Sequence, residues 1–198
     1  WQSWELLIVD DASTDDTWGT LVELASTEPR IKLFRNALNV GSGASRNCGL
    51  AYSQGEFIAV LDADDIARHD RLQLQVEFLL SHPDIDVLGG GAIEVNEHGD
   101  VIGEVFSREL HQDLAANIYK ECPFVHSTVL GRARFWRMLG GYAVDRGHSD
   151  DYELWLRGYR DFTYHNLSIP LVWYRWRFPR LRFYRDMSFS IWANIRRD

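Results

Sequence analysis

The sequence predicts an α/β fold in which helices flank a mostly parallel central sheet, and three observations carry that expectation. Two apolar runs without alternation, residues 5–9 (ELLIV) and 57–61 (FIAVL), read as strands covered on both faces, as in parallel sheets. Segments of helical period alternate with such strands through the first ninety or so residues. The chain has 198 residues, 45% of them hydrophobic and 25% charged, which suffices for a core without disulfide staples.

The elements follow in order. After the first strand, Ser13 with Asp16 three residues on resembles a capping box. Trp18, Leu21, Val22 and Ala25 then share a helical face, which Pro29 closes. Residues 31–34 read as the next strand, and Gly41-Ser42-Gly43 leads into a short helix over 44–53 closed by Gly55. Behind the strand at 57–61, Leu72, Val76, Leu79 and Leu80 line one face of a helix that stops before Pro83. Residues 85–88 form a strand ahead of Gly89-Gly90-Gly91, and the turn at 96–100 (NEHGD) joins a hairpin of 93–95 and 101–105. A helix is expected over 110–119. Another begins near Ser149, with Tyr152, Trp155, Leu156 and Tyr159 on one face.

Charge narrows the function. Acids outnumber bases by 29 to 21, a net −8, which argues against a nucleic-acid partner. Cys48 and Cys122 have no metal spacing and read as reduced thiols, so a cytoplasmic location is expected. No stretch approaches the ~18 apolar residues of a membrane span, and no basic-then-apolar leader is seen. Residues 173–198 differ from the rest: seven Arg and eight aromatics stand against two acids. That composition suggests peripheral contact with an anionic membrane surface, and an ordinary terminal helix packed on the core carries equal weight.

The chemistry lies at the strand ends. In open α/β sheets ligands bind beyond the carboxyl ends of the strands. Two predicted strands end there in acids: Asp10-Asp11, and Asp62, Asp64 and Asp65. Crowded carboxylates repel unless a cation or hydrogen-bond donors compensate, and all-oxygen ligands favour Mg²⁺ or Mn²⁺ sharing phosphate oxygens. A third pair, Asp150-Asp151, opens the helix near Ser149, where a capping role weighs about two to one over function. No zinc, calcium-loop, P-loop or dinucleotide-fold pattern is present, and no GxSxG elbow appears.

Four stretches in this order resemble a family 2 glycosyltransferase of the GT-A, Rossmann-like fold: WELLIVDDASTDDT (4–17), NVGSGASRNCGLAYSQGEFIAVLDADD (39–65), LGGY (139–142) and DDYELWLR (150–157). The resemblance covers residues 1–177 as the catalytic domain and leaves 178–198 as a basic aromatic segment. It implies inverting transfer of a sugar from a nucleotide-sugar donor, a UDP-sugar first, to a hydroxyl of a saccharide or lipid-linked acceptor. It also implies that Asp10 and Asp11 contact the nucleoside, Asp11 being preferred for the base, with Arg46 beside the nucleotide. Asp62-Ala63-Asp64 corresponds to the family's DxD-type motif; with Asp65 it would hold the ribose and a divalent metal, Mn²⁺ or Mg²⁺. Asp151 would be the catalytic base, after Asp150 where the family more often has Glu. Members of the family usually carry a strand and helix ahead of the segment that opens this chain, so an N-terminal truncation is expected. YRWR at 174–177 also departs from the family, which often has His after YR; Arg177 could face the diphosphate. Two rival readings remain open: a degenerate, non-catalytic nucleotide-binding domain, and a glycoside hydrolase with paired carboxylates. The second leaves the two strand-end clusters unexplained.

Overall fold

Alternation of strand and helix in the first half produces a parallel pair. In the computed structural model, which describes residues 3–144 and 149–176, β1 (Leu6–Asp10) pairs in parallel with β2 (Ile31–Arg35) across α1 (Thr17–Thr27). The capping box at Ser13 does not form. Asp16 is the N-cap, with no side-chain cap bond, and Ser13 donates its N–H to Asp10 Oδ1 at 3.0 Å instead. Asp side chains compete for nearby N–H groups in this way. Asp15 takes the Thr17 N–H and hydroxyl, at 3.1 and 2.6 Å. No residue of α1 is fully buried, so its apolar face rests only lightly on the sheet.

The remaining strands form a six-stranded mixed sheet. β3 (Phe57–Ala59), β7 (Leu130–Arg132), β5 (Val87–Val95), β8 (Tyr164–Arg175) and β4 (Ile66–Ala67) lie in that spatial order, with β6 (Val101–Val105) on β5. Only β5 and β8 run parallel in this sheet, and its other four pairs are antiparallel. The expected α/β class holds, but parallel pairing is confined to β1–β2 and β5–β8. Parallel neighbours need a long crossover, whereas the five-residue turn at 96–100 can only fold β6 back onto β5. β1 pairs only with β2 and β3 only with β7 among the described residues, so the two sheets share no strand pairing.

β5 runs straight through the triple glycine that was expected to end it. A Cβ on Gly89 would stand 2.3 Å from Asn166 Oδ1, and one on Gly90 would stand 2.5 Å from Leu171 Cδ1. The glycines therefore let β8 and its side chains close on β5, as close backbone approach in a strand requires. Beyond the hairpin come α4 (His111–Asn117), the 3-10 turn His126–Thr128, α5 (Ala133–Leu139) and α6 (Asp150–Gly158). The core gathers Phe124, Phe135, Trp136, Tyr142, Leu154, Trp155 and Tyr164 between α5, α6 and the sheet.

Two helices bring the sequence's acidic and basic groups together. α2 (Ser42–Tyr52) starts two residues earlier than expected, after Gly41 in a left-handed conformation (φ 88°). α3 (Arg71–Ser81) turns a different face inward from the one its leucines suggest. Leu72 and Leu80 are exposed, while Arg71, Gln75, Val76 and Leu79 are buried. Arg71 donates to the carbonyls of Val60 and Val129, each at 2.9 Å, and to Gln75 Oε1. Gln75 donates to the Leu88 and Thr128 carbonyls at 3.1 and 2.8 Å. These bonds fix the chain just beyond β3, where the acidic cluster begins. Gln75→Leu would leave those carbonyls and the Arg71 N–H short of partners at about 1–3 kcal/mol for each buried group, so we expect a loss of about 2–4 kcal/mol. Urea denaturation reads it, and a loss below about 0.5 kcal/mol would contradict the bolt.

Candidate active site

The loops at the ends of β1 and β3 and the N-termini of α2 and α6 converge. Arg46, on the second turn of α2, joins them. Its guanidinium donates to Asp150 Oδ2 at 2.8 Å and to Asp62 Oδ1 at 2.7 Å. Ser42 adds a hydroxyl bond to Asp150 Oδ2 at 3.0 Å. A planar fork with several donors suits a bridge between two carboxylates, which a lysine point charge could not span. Arg46 therefore binds protein carboxylates on both sides, where the sequence placed it beside the nucleotide.

The second oxygen of Asp62 faces His126, whose Nδ1 lies 3.4 Å away. On its other side His126 Nε2 meets the Tyr142 hydroxyl at 3.1 Å, and Trp136 Nε1 donates to that hydroxyl at 3.3 Å. Burial opposes ionisation of Asp62, but His126 and Arg46 more than offset it and hold the carboxyl well below the usual carboxylate range. His126 and Tyr142 escaped the sequence reading. Nothing in FVHST marks a site, and LGGY was noted only as part of a resemblance.

The other candidate acids have distinct surroundings. Asp10 is buried and turned into its own loop, held by the Ser13 N–H and by Arg35 Nε at 3.0 Å. It thus shapes the turn that follows β1. Asp11 accepts the N–H groups of Val40 (2.9 Å) and Gly41 (2.8 Å) and the Asn36 amide (2.9 Å). Burial pushes against its ionisation, yet these donors win and keep it below the usual range. Asp11 thereby ties β1 to the entry of α2, next to the left-handed Ala12 (φ 61°).

Asp65 is buried and accepts the Arg175 N–H at 2.8 Å; burial raises its pKa. Asp64 is half-buried in the same loop, and Arg175 Nε donates to its carbonyl at 3.2 Å. Asp151 follows Asp150 in the first turn of α6 and accepts the Tyr152 N–H at 2.7 Å. Burial foremost, and then the neighbouring Asp150, push its pKa up, against the field of His126. A carboxylate with a raised pKa is a better proton acceptor near neutrality.

For a metal the donor set is specific. Among the described residues no group of three or more His, Cys, Asp or Glu could hold an ion by itself. Asp62 already uses both oxygens on Arg46 and His126. The all-oxygen cluster at 62–65 thus fits a hard cation that takes one or two carboxylates and draws its other ligands from phosphate and water. It does not fit a self-sufficient metal centre.

Comparison with known proteins places this arrangement. The family described as Glycosyl transferase family 2 matches residues 1–136. The chain belongs to that family. The match includes Asp10, Asp11, Arg46, Asp62, Asp64, Asp65 and His126; Asp150 and Asp151 lie beyond it. EpsE of Bacillus subtilis (strain 168), named as a glycosyltransferase, is 35% identical over 175 residues, 86% of this chain and 62% of that protein. The UDP-Glc:alpha-D-GlcNAc-diphosphoundecaprenol beta-1,3-glucosyltransferase WfgD of Escherichia coli is 32% identical over 161 residues, 80% of this chain and 59% of its own. The chain spans less than two thirds of the length of the curated relatives it matches. S. aureus TarS 1-349 in complex with UDP superposes with a TM-score of 0.72 at 24% identity, covering 96% of this chain and 56% of that one. Mannosyltransferase PcManGT from Pyrobaculum calidifontis, in complex with GDP-Man and Mn²⁺, gives 0.67 at 21% identity, over 98% and 55%. These likenesses establish the GT-A fold.

The Arg46 bridge generates a stability prediction. Arg46→Met removes the cation between Asp62 and Asp150 and leaves them only their His126 and Ser42 contacts, which should cost about 3 kcal/mol at neutral pH. Asp62 has a folded pKa below its unfolded value, so its contribution is complete above the unfolded value of about 4 and fades as pH falls through the folded one. The gap between parent and variant in urea midpoints should therefore narrow below about pH 4. A gap that stays constant or widens on acidification would contradict the bridge.

Proposed function

We propose that this chain is the donor-binding and catalytic part of a glycosyltransferase moving a sugar from a nucleotide-sugar, a UDP-sugar, to a hydroxyl of a saccharide or lipid-linked saccharide acceptor. One observation carries the reading: a single guanidinium ties Asp62, at the strand-end cluster, to Asp150, the residue before Asp151. Leaving-group and base sites are thereby held on one frame. The printed names of relatives support the donor class. TarS is described with UDP and with UDP-GlcNAc, PcManGT with GDP-Man, and WfgD as using UDP-Glc.

In the proposed reaction Asp151 takes the proton from the acceptor hydroxyl while that oxygen attacks the anomeric carbon. The bond from that carbon to the diphosphate oxygen breaks, and the nucleoside diphosphate leaves with the electron pair. One displacement inverts the anomeric configuration and needs no Ser or Cys nucleophile. Asp64, with Asp65 behind it, would hold Mn²⁺ or Mg²⁺ against the diphosphate. When bound, such a cation offsets the charge that develops on the leaving group. Asp11, held by Asn36, Val40 and Gly41, would contact the base of the nucleoside. No helix of the described residues is long and apolar enough to cross a membrane. Of the Arg- and aromatic-rich segment 173–198 proposed to touch the membrane surface, residues 177–198, with Arg177, lie outside the described residues.

Asp151→Asn in the full-length protein tests the reading. Asn keeps the shape and can accept the same N–H, so melting temperature and UDP affinity should stay close to the parent's. General-base assistance is typically worth roughly 10²–10⁴-fold, and kcat should fall by that factor. In the parent, the acid limb of kcat should lie above the ordinary Asp value of about 4, because burial raises Asp151. Transfer by Asp151→Asn at the parent rate would place the base elsewhere.

A further inference from the structure

We propose that His126 is a positioning residue of the transfer site, fixing Asp62 between Arg46 and the buried Tyr142–Trp136 pair. Neither of its two partners, Asp62 and Tyr142, is near it in sequence, and the imidazole sits on the 3-10 turn His126–Thr128, almost fully buried. The direction of the hydrogen bonds follows from what each group can do. The Trp136 indole can only donate, so the Tyr142 oxygen accepts from it. The phenol oxygen has a second lone pair, so its contact with His126 Nε2 runs in either direction according to the imidazole's protonation. Asp62 accepts from Arg46 on its other oxygen, and a carboxylate can only accept, so Nδ1 of His126 carries the proton of their contact. Trp136, Tyr142, His126 and Asp62 thus form one hydrogen-bonded row that ends on the carboxylate.

With Arg46 on one oxygen and His126 facing the other, Asp62 cannot turn. Its fixed place sets that of Arg46, and Arg46 in turn holds Asp150 and the start of α6, where Asp151 stands. The Tyr142 end is anchored as well, since Asn47 of α2 exchanges bonds with the Tyr142 carbonyl and N–H, both at 2.8 Å. His126 touches neither reacting atom. It acts through Asp62, and small misplacements of this kind can cost up to about 10²-fold in rate.

Two substitutions separate positioning from packing. Asn can place its amide N–H where Nδ1 stands, whereas Phe keeps the ring volume and loses both polar contacts. Positioning predicts that His126→Phe lowers kcat by about tenfold or more with little change in donor KM. It also predicts that His126→Asn restores part of that loss although it fills the cavity less well. A packing role predicts the reverse order, Phe near the parent and Asn worse, in both kcat and melting temperature, and that order would overturn the proposal. The kinetic arm rests on the transferase reading; a second measurement does not. ¹⁵N spectra of the ring in the full-length protein should show Nδ1 protonated and shifted by Asp62→Asn. An Nδ1 without a proton, or one indifferent to Asp62→Asn, would overturn the proposal whatever the enzyme transfers.

Discussion

One arginine side chain holds the site together. The two sheets share no strand pairing among the described residues, and α2 touches both β1 and α6. Gly49 of α2 faces Val9 of β1, Asn47 grips Tyr142, and Arg46 grips Asp62 and Asp150. Two half-buried or buried carboxylates would repel and lose hydration if they met without a cation between them. Because Arg46 supplies that cation, acids 88 residues apart share one frame without any bound ion.

The surroundings of the bridge follow the same physical rule, that a buried polar group must be satisfied. Arg71 lies in the core and burial pulls its guanidinium down to about 10, yet it bonds two carbonyls and Gln75. Its contact with the Val60 carbonyl stiffens the backbone two residues before Asp62. His126 and Tyr142 stiffen the same aspartate from the opposite side. The site is thus built on side chains that the core itself immobilises, which keeps a charged cleft in a defined shape.

Much of this was legible locally. Unbroken apolar runs ending in acids located β1 and β3, and the Tyr152–Trp155 periodicity located α6, because both signals reside within a few residues. What escaped depends on distant partners. The two-residue β4 exists only because Ile66 and Ala67 pair with Trp173 and Val172, and β7 exists only between β3 and β5. The glycine run looked like punctuation until β8 closed on it. Asp10 and Asp11 are neighbours in sequence, but one turns into its own loop and the other to the entry of α2. His126 is a lone histidine in an apolar stretch, and only the fold brings Asp62 and Tyr142 to its two nitrogens.

The central claim is that Arg46 is a scaffold between two carboxylates rather than a ligand of the diphosphate. A crystal structure of the full-length protein with UDP and Mn²⁺ tests it most directly. The account predicts Arg46 within hydrogen-bond distance of both Asp62 and Asp150 while the nucleotide is bound, with the metal on the 64–65 side of the loop. An Arg46 swung off either carboxylate and onto a phosphate oxygen would contradict it.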